Sequence, residues 1–279
     1  MTIYPITLTW NGKHHLEKLY PTFQKAAEKV HQDVIWFIRD NASTDGTEEL
    51  VKSWDNELFV RYFKVDHNRD SFAKCNNFLI DKIREQEKID FNKDYYLLLN
   101  NDITIEDPYS LKYMLDIIER DKTVGAVGAK MFYPKGKTIQ HFGVCGSPKH
   151  GNMVWHVYSQ DQDSIYTKKD KEFEAVTGAF MLVRCSCVEA MPQKKINEQY
   201  FYAFEDVDLC FNIKFKQGKK IVCCAKTNII HYESASLEKN PVNKIYMSSN
   251  VNVFRKNWGG KYKLDYFDYM KDPNYNIYG

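Results

Sequence analysis

Long apolar runs are missing from this chain. The longest hold about five residues, such as Val34 to Ile38, whereas a membrane-crossing helix needs about 20. Nothing therefore reads as a transmembrane segment. The first hydrophobic stretch starts almost at Met1 and contains Pro5 and Trp10, with no basic stretch before it and no small-residue cleavage site after it. The expectation is that it is no signal peptide. The 7 cysteines are odd in number and form no Cys-x-x-Cys pair. That disfavours a disulfide scaffold and a zinc site, and makes a reducing cytoplasm the simplest location. An excess of charge is also lacking: 39 Lys+Arg against 37 Asp+Glu leave a net +2. Such a balance gives no overall electrostatic case for nucleic acid or an anionic membrane, although a local basic patch stays open. Internal repeats and low-complexity linkers are absent too, which points to one compact domain.

What is present is a folded composition. The 279 residues are 43% hydrophobic and 15% aromatic, enough to build a core without staples. Through the first hundred residues two hydrophobic periods alternate. Ile3 to Thr9 reads as a strand, and Leu16, Leu19, Tyr20, Phe23, Ala27 and Val30 follow helical spacing. Val34 to Ile38 and Tyr95 to Leu99 read as strands buried on both faces. Asp45 to Trp54 and Phe72 to Ile83 read as helices, with a strand over Leu58 to Val65 between them. This alternation predicts βαβ units and a parallel sheet, with ligands at the carboxyl edge of the strands. The second half is less regular. A helix is expected around Leu111 to Ile118, a strand over Ala175 to Arg184, and a helix over Asp206 to Lys216 ended near Gly218. Pro241 opens a last helix containing Ile245 and Tyr246, which Gly259 and Gly260 stop. Residues 261–279 read as a polar, Tyr-rich appendage.

Four loops stand at the expected ligand edge: Thr9 to Gly12, Asp40 to Thr47, Asn100 to Asp102, and Phe204 to Asp208. Each has an ordinary structural reading. Asp40 to Thr47 is rich in turn and cap formers. Asp102 can close an Asx turn, Asp206 can answer a helix macrodipole, and a lone histidine such as His231 is most often a satisfied core residue.

Their order along the chain resembles the inverting family 2 glycosyltransferases of the GT-A fold, in the rhamnosyltransferase-like subgroup. The resemblance covers residues 1 to about 258. Thr9-Trp10-Asn11 is similar to the family's opening T-[YF]-N. Asp40 to Thr47 matches D-N-x-S-x-D-G-T. Asn68 to Asn77 resembles the N-x-G-F-A-x-G-x-N loop, and Tyr95 to Ile103 the strand entering the metal motif. Thr177 to Arg184 is similar to T-G-A-x-M-L-V-R, Glu205 to Leu209 to E-D-V-D-L, and His231 to Ser236 to the final H-x-x-x-x-S.

The resemblance implies a GT-A-type α/β domain with a Rossmann-like, mostly parallel sheet and helices on both faces. Residues 1–102 would form its nucleotide-binding half, 103–258 a less regular metal and acceptor half, and 259–279 a tail. It implies an inverting transfer of a sugar from a UDP- or dTDP-type donor to a saccharide or glycoconjugate. Thr9, Asn11, Asp40, Ser43 and Asn76 would bind the nucleotide, and Asn101 and Gly178 the donor sugar. Asp102 and His231 would hold Mn²⁺ or Mg²⁺. Asp206 would be the base that deprotonates the acceptor, with Glu205 beside the donor sugar or positioning that base. Gln140 to Gly143 would support the acceptor side. Two departures matter: Asn100 and Asn101 replace part of the usual D-x-D, and Asp70, Ser71, Lys74 and Cys75 crowd the third loop.

Other readings stay open. A basic face of Lys168, Lys169, Lys171, Lys194, Lys195, Lys214, Lys216, Lys219 and Lys220 would suit a nucleic-acid acceptor, such as a modified base of viral DNA. A non-catalytic sugar- or nucleotide-binding relative is a third reading. The Tyr-rich tail is a candidate homo-oligomer contact, or packs simply on its own domain. A lipid-linked acceptor would be met at the inner membrane surface.

Overall fold

A computed structural model describes the chain except residues 55–58, 135–137, 202 and 233–241, with main chain alone for 242–247. Leu58, Gly136, Tyr202, Ser236 and Pro241 therefore lie outside the described residues, as do the side chains of Ile245 and Tyr246.

The alternation seen in the sequence becomes β1 (Thr2–Thr9), α1 (Lys13–Ala27), β2 (Asp33–Asn41), α2 (Thr47–Lys52), β3 (Phe59–Val65), α3 (Phe72–Gln86) and β4 (Tyr95–Leu99). β5 (Ile103–Ile105), α4 (Ser110–Arg120), β6 (Val124–Phe132), β7 (Ile139–His141), β8 (Val144–Ser147) and β9 (Met153–His156) follow. The remainder is β10 (Lys171–Phe173), β11 (Phe180–Arg184), α5 (Cys185–Glu189), α6 (Glu205–Phe211), β12 (Lys220–His231), α7 (Val242–Trp258) and α8 (Tyr266–Lys271).

Among the described residues one large sheet runs β10-β12-β6-β11-β4-β1-β2-β3. It is parallel through β4-β1-β2-β3 and at β6-β12, while β11 inserts antiparallel between β4 and β6. β4 shows why the sheet needs helices on both faces. Tyr96 and Leu98 enter one apolar cluster with Leu79, Ile80 and Ile83 of α3. Tyr95, Leu97 and Leu99 enter the other, with Leu16, Leu19 and Phe23 of α1 and Met114 of α4. Each such Leu is fully buried, worth about 1.5–3 kcal/mol apiece.

Two expectations need correction, and for the tail one of the two alternatives is seen. The strand expected over Ala175 to Arg184 begins only at Phe180. Before it, the N–H groups of Thr177 and Gly178 donate to the His141 and Asp206 side chains instead of to a ladder. The helix expected over Asp206 to Lys216 is α-helical from Glu205 to Phe211 and a π-turn from Asn212 to Lys216. Asn212 Nδ2 donates to the Asp208 carbonyl at 2.8 Å, so a side chain competes with the helical ladder where the winding changes. Lastly, the Tyr-rich tail is docked on its own domain. Tyr269 is buried and stacks on Phe173 with ring centres 4.6 Å apart, and Ile277 bridges to Lys171.

Candidate active site

The first three loops interlock through short contacts. Asn11 stands at φ 47°. Its N–H donates to Ser43 Oγ at 2.7 Å, and its Oδ1 accepts the Thr44 N–H at 2.8 Å. Asn101 Nδ2 donates to Thr9 Oγ1 at 3.1 Å. Gly12 sits between them: a Cβ there would lie 2.4 Å from both Asn101 Nδ2 and Thr9 Oγ1. Only glycine lets the first and third loops close on each other.

Asp40 lies beneath the second loop and is fully buried. Its Oδ1 accepts the Ser43 N–H at 2.8 Å, and its Oδ2 accepts the Tyr62 hydroxyl. Burial, and then that bond to Asp40, push the Tyr62 phenol up. Tyr62 was not anticipated. Its signal was present, since β2 and β3 pair in parallel with Asp40 opposite Lys64, and Tyr62 shares the Lys64 side of the strand. Asn76 is buried in α3 and donates back to the Phe72 carbonyl at 2.8 Å. Asp70, in a glycine position of the resemblance, pairs with Arg39, Lys74 and His67 at 2.6, 2.6 and 3.1 Å. Lys74 is thus engaged by its own helix entrance.

Register brings the metal candidates together. β5 runs antiparallel to β12 with Ile103 opposite His231, and the Tyr232 N–H donates to the Asp102 carbonyl at 2.9 Å. His231 Nε2 then stands 3.2 Å from Asp102 Oδ1. On the other side His231 Nδ1 is 2.7 Å from Gln140 Oε1, while Gln140 Nε2 donates to the His231 carbonyl at 3.3 Å. An amide oxygen only accepts, so Nδ1 carries a ring proton and Nε2 is the atom that faces Asp102. Two electron-rich atoms facing at that distance need a proton or a cation between them. Among the described residues there is no group of three or more His, Cys, Asp or Glu side chains that could hold a metal. The pair fits a cation that also takes ligand phosphate oxygens. His15 of α1 was also missed. Burial lowers its proton affinity most, and the charges of Asp102 and His231 both reach it.

The same β7 strand reaches the base candidate. His141 Nε2 accepts the N–H groups of Gly143 and Thr177, each at 3.2 Å. Its Nδ1 therefore carries the proton and faces His156 Nδ1 at 2.9 Å. Complete burial, then the neighbouring His156, hold His141 far below its ordinary range. Next to Thr177, the Gly178 N–H donates to Asp206 Oδ2 at 2.9 Å, and the Val207 N–H donates to Oδ1 at 2.8 Å. A Cβ on Gly178 would press on Asp206 Cβ at 3.3 Å. The expectation for Gly178 was approach to a ligand; what it approaches here is Asp206.

The carboxylates around Asp206 differ sharply. Glu205 is buried, and its Oε2 has no hydrogen-bond partner. Burial, then the Asp206 charge, push its carboxyl up to about 8. Asp208 is buried under donors from Trp258 at 2.7 Å, Asn212 at 3.0 Å and Tyr200 at 3.1 Å. It ties α6 to α7.

Six of the nine lysines of that face are paired or buried. Lys168, Lys194, Lys195, Lys214 and Lys220 are paired with carboxylates. Lys171 is buried, and its amine is brought down to about 8 by that burial.

The pattern of glycosyl transferase family 2 matches residues 6–191, and the chain belongs to that family. The O-antigen biosynthesis protein RfbC of Myxococcus xanthus is 32% identical over 210 residues, covering 74% of this chain and 15% of that protein. The chain spans between 15% and 19% of the length of the curated relatives it matches. Among solved structures it is similar to the mannosyltransferase PcManGT of Pyrobaculum calidifontis in complex with GDP-Man and Mn²⁺. That likeness has TM-score 0.62 and 15% identity, over 96% of this chain and 69% of the other. It is also similar to residues 1–349 of S. aureus TarS in complex with UDP-GlcNAc, with TM-score 0.58 and 14% identity over 96% and 69%. At such identities these likenesses speak for the fold, which is the GT-A fold.

Proposed function

We propose that the protein transfers a sugar, with inversion, from a nucleoside-diphosphate sugar of the UDP or dTDP type to a hydroxyl of a saccharide or glycoconjugate. The observation that carries this reading is the double grip of one strand. Gln140 holds His231 against Asp102, and the adjacent His141 holds the Thr177–Gly178 segment whose N–H meets Asp206.

The nucleotide would lie over the interlocked loops of Thr9, Asn11 and Ser43, with buried Asp40 and Asn76 setting their shape and Asn101 facing the sugar. Asp206 accepts the proton of the acceptor hydroxyl as that oxygen bonds to the anomeric carbon. The bond from that carbon to the diphosphate breaks, and its electron pair leaves with the nucleoside diphosphate. The Gly178 and Val207 N–H groups keep the Asp206 carboxylate aimed through this step. Glu205, neutral below its raised range, is a hydrogen-bond donor for the sugar. Asp102 and His231 would hold Mn²⁺ or Mg²⁺, which supplies charge neutralisation for the departing diphosphate; this is supported by the Mn²⁺ in the PcManGT complex. The pairing of the lysines with carboxylates favours a saccharide over a nucleic-acid acceptor. Seven buried cysteines without disulfides suit a cytoplasmic setting.

The test is release of nucleoside diphosphate from a panel of nucleotide sugars with Mn²⁺, with the anomeric form of the first-released sugar followed by NMR. An α-linked donor should yield the β sugar first. Release of the α sugar would refute inversion, and no release from any donor would refute the transferase reading.

A further inference from the structure

A cavity lies behind the helix that carries Asp206. Residues two apart on an α-helix point in nearly opposite directions. Asp206 turns toward Gly178, while Asp208 turns into a cavity of about 760 Å³ between the 191–199 segment and the end of α7. Nothing in the transfer step uses this space.

Its walls mix apolar side chains such as Met191, Ile196 and Trp258 with polar and charged ones. Asn212 is 4% exposed and lines the cavity, and its Oδ1 has no hydrogen-bond partner. A buried acceptor left in that state costs about 1–3 kcal/mol. Lys216, Lys256 and Lys261 also line the cavity. Lys216 and Lys261 hold their ammonium groups 5.2 and 5.6 Å from the Trp258 ring centre rather than on a carboxylate. Two acids share the wall: Asp208, bonded by Trp258, Asn212 and Tyr200 and within reach of the Lys216 charge, and Glu198, which accepts from Asn77 at 2.9 Å. Lys195 is turned to Asp81 at 2.8 Å. Two further features mark the place. The π-turn over Asn212–Lys216 carries both Asn212 and Lys216, and such turns recur at functional sites. On the rim, Gln193 is held at φ 56°, a strained backbone state for a residue with a side chain.

We propose that this cavity binds an acidic sugar unit of the acceptor chain, its carboxylate or phosphate among Lys216, Lys256 and Lys261. The inference rests on the saccharide-acceptor reading above. Its test is a binding measurement that needs no turnover, so the two can fail separately.

Trigalacturonate serves as the acidic probe, maltotriose as the neutral one and glucose 1-phosphate as the free sugar phosphate, each titrated by calorimetry at low salt. Trigalacturonate should bind saturably at one site, at least about ten times more tightly than maltotriose. The surface double variant Lys216→Gln/Lys261→Gln should weaken it at least about tenfold. No saturable binding, or equal binding by the double variant, would overturn the proposal. Tighter binding of glucose 1-phosphate than of the trisaccharide would overturn the assignment to the acceptor. A duplex DNA oligonucleotide that displaces trigalacturonate, and whose own binding the double variant abolishes, would overturn it in favour of a nucleic-acid site.

Discussion

The two halves of the sheet hold their functional loops by different means. In the first half the loops after β1 and β2 lock each other by contacts such as Asn11 with Ser43 and Thr44, on neighbouring parallel strands. In the second half the grips are between separate strands and a helix: Gln140 on His231, 91 residues apart, His141 on Thr177, and Gly178 on Asp206. The first arrangement follows from local βαβ units. The second exists only once β5, β6, β7, β11 and β12 have found their register. Damage to the first half should therefore show as lost stability, and damage to the second as lost chemistry in a protein that still folds.

Four substitutions bear on that contrast, from the strongest effect to the weakest. Asp102→Ala should lower kcat by about 100- to 1,000-fold with the fold intact by circular dichroism, the loss expected when several kcal/mol of charge stabilisation goes. Full metal-dependent turnover would remove Asp102 from the site. Gln140→Ala leaves both candidate ligands in place but frees the His231 ring. It should weaken Mn²⁺ binding about 10- to 100-fold, read by electron paramagnetic resonance in a titration. Unchanged affinity would reduce Gln140 to packing.

Tyr62→Phe probes the other half. It leaves the buried Asp40 Oδ2 without its donor, and should cost about 1.5–3 kcal/mol in urea denaturation. A loss of chemistry without a loss of stability would break the contrast. Glu205→Gln gives the subtlest effect. The Glu205 carboxyl is raised from 4.5 to about 8 by burial and the Asp206 charge. Across that window the native state keeps a proton that the unfolded chain has released, so stability falls as pH rises. The substitution removes this slope. Its stability relative to the parent should grow by about 1–3 kcal/mol between pH 5 and pH 8, and parallel pH profiles would contradict the raised carboxyl.

Much of this was legible beforehand, and the limits have a physical cause. The strand from Tyr95 to Leu99 was readable because five apolar residues in a row have only one place in an α/β sheet. The E-D-V-D-L helix start was readable as a motif. The opposite fates of its acids were not, because the Asp208 partners Tyr200 and Trp258 arrive from other elements. Gln140 was placed on the acceptor side, yet its side chain holds His231. No local pattern could show this, since the contact depends on β7 and β12 flanking β6. The pairing of five of the nine lysines was not legible, because acids such as Asp81, Asp121 and Glu172 are distant in sequence and adjacent in space. The tail's seat could not be chosen beforehand because its core partner, Phe173, sits on a short strand that no periodicity marks.

Asp206→Asn tests the account most directly. The amide keeps an oxygen for the Gly178 N–H and loses the basicity that accepts the acceptor's proton. The account predicts unchanged affinity for the nucleotide sugar and a fall in kcat of about 100- to 10,000-fold, the range of general-base catalysis. A variant that turned over at the parent rate would contradict it.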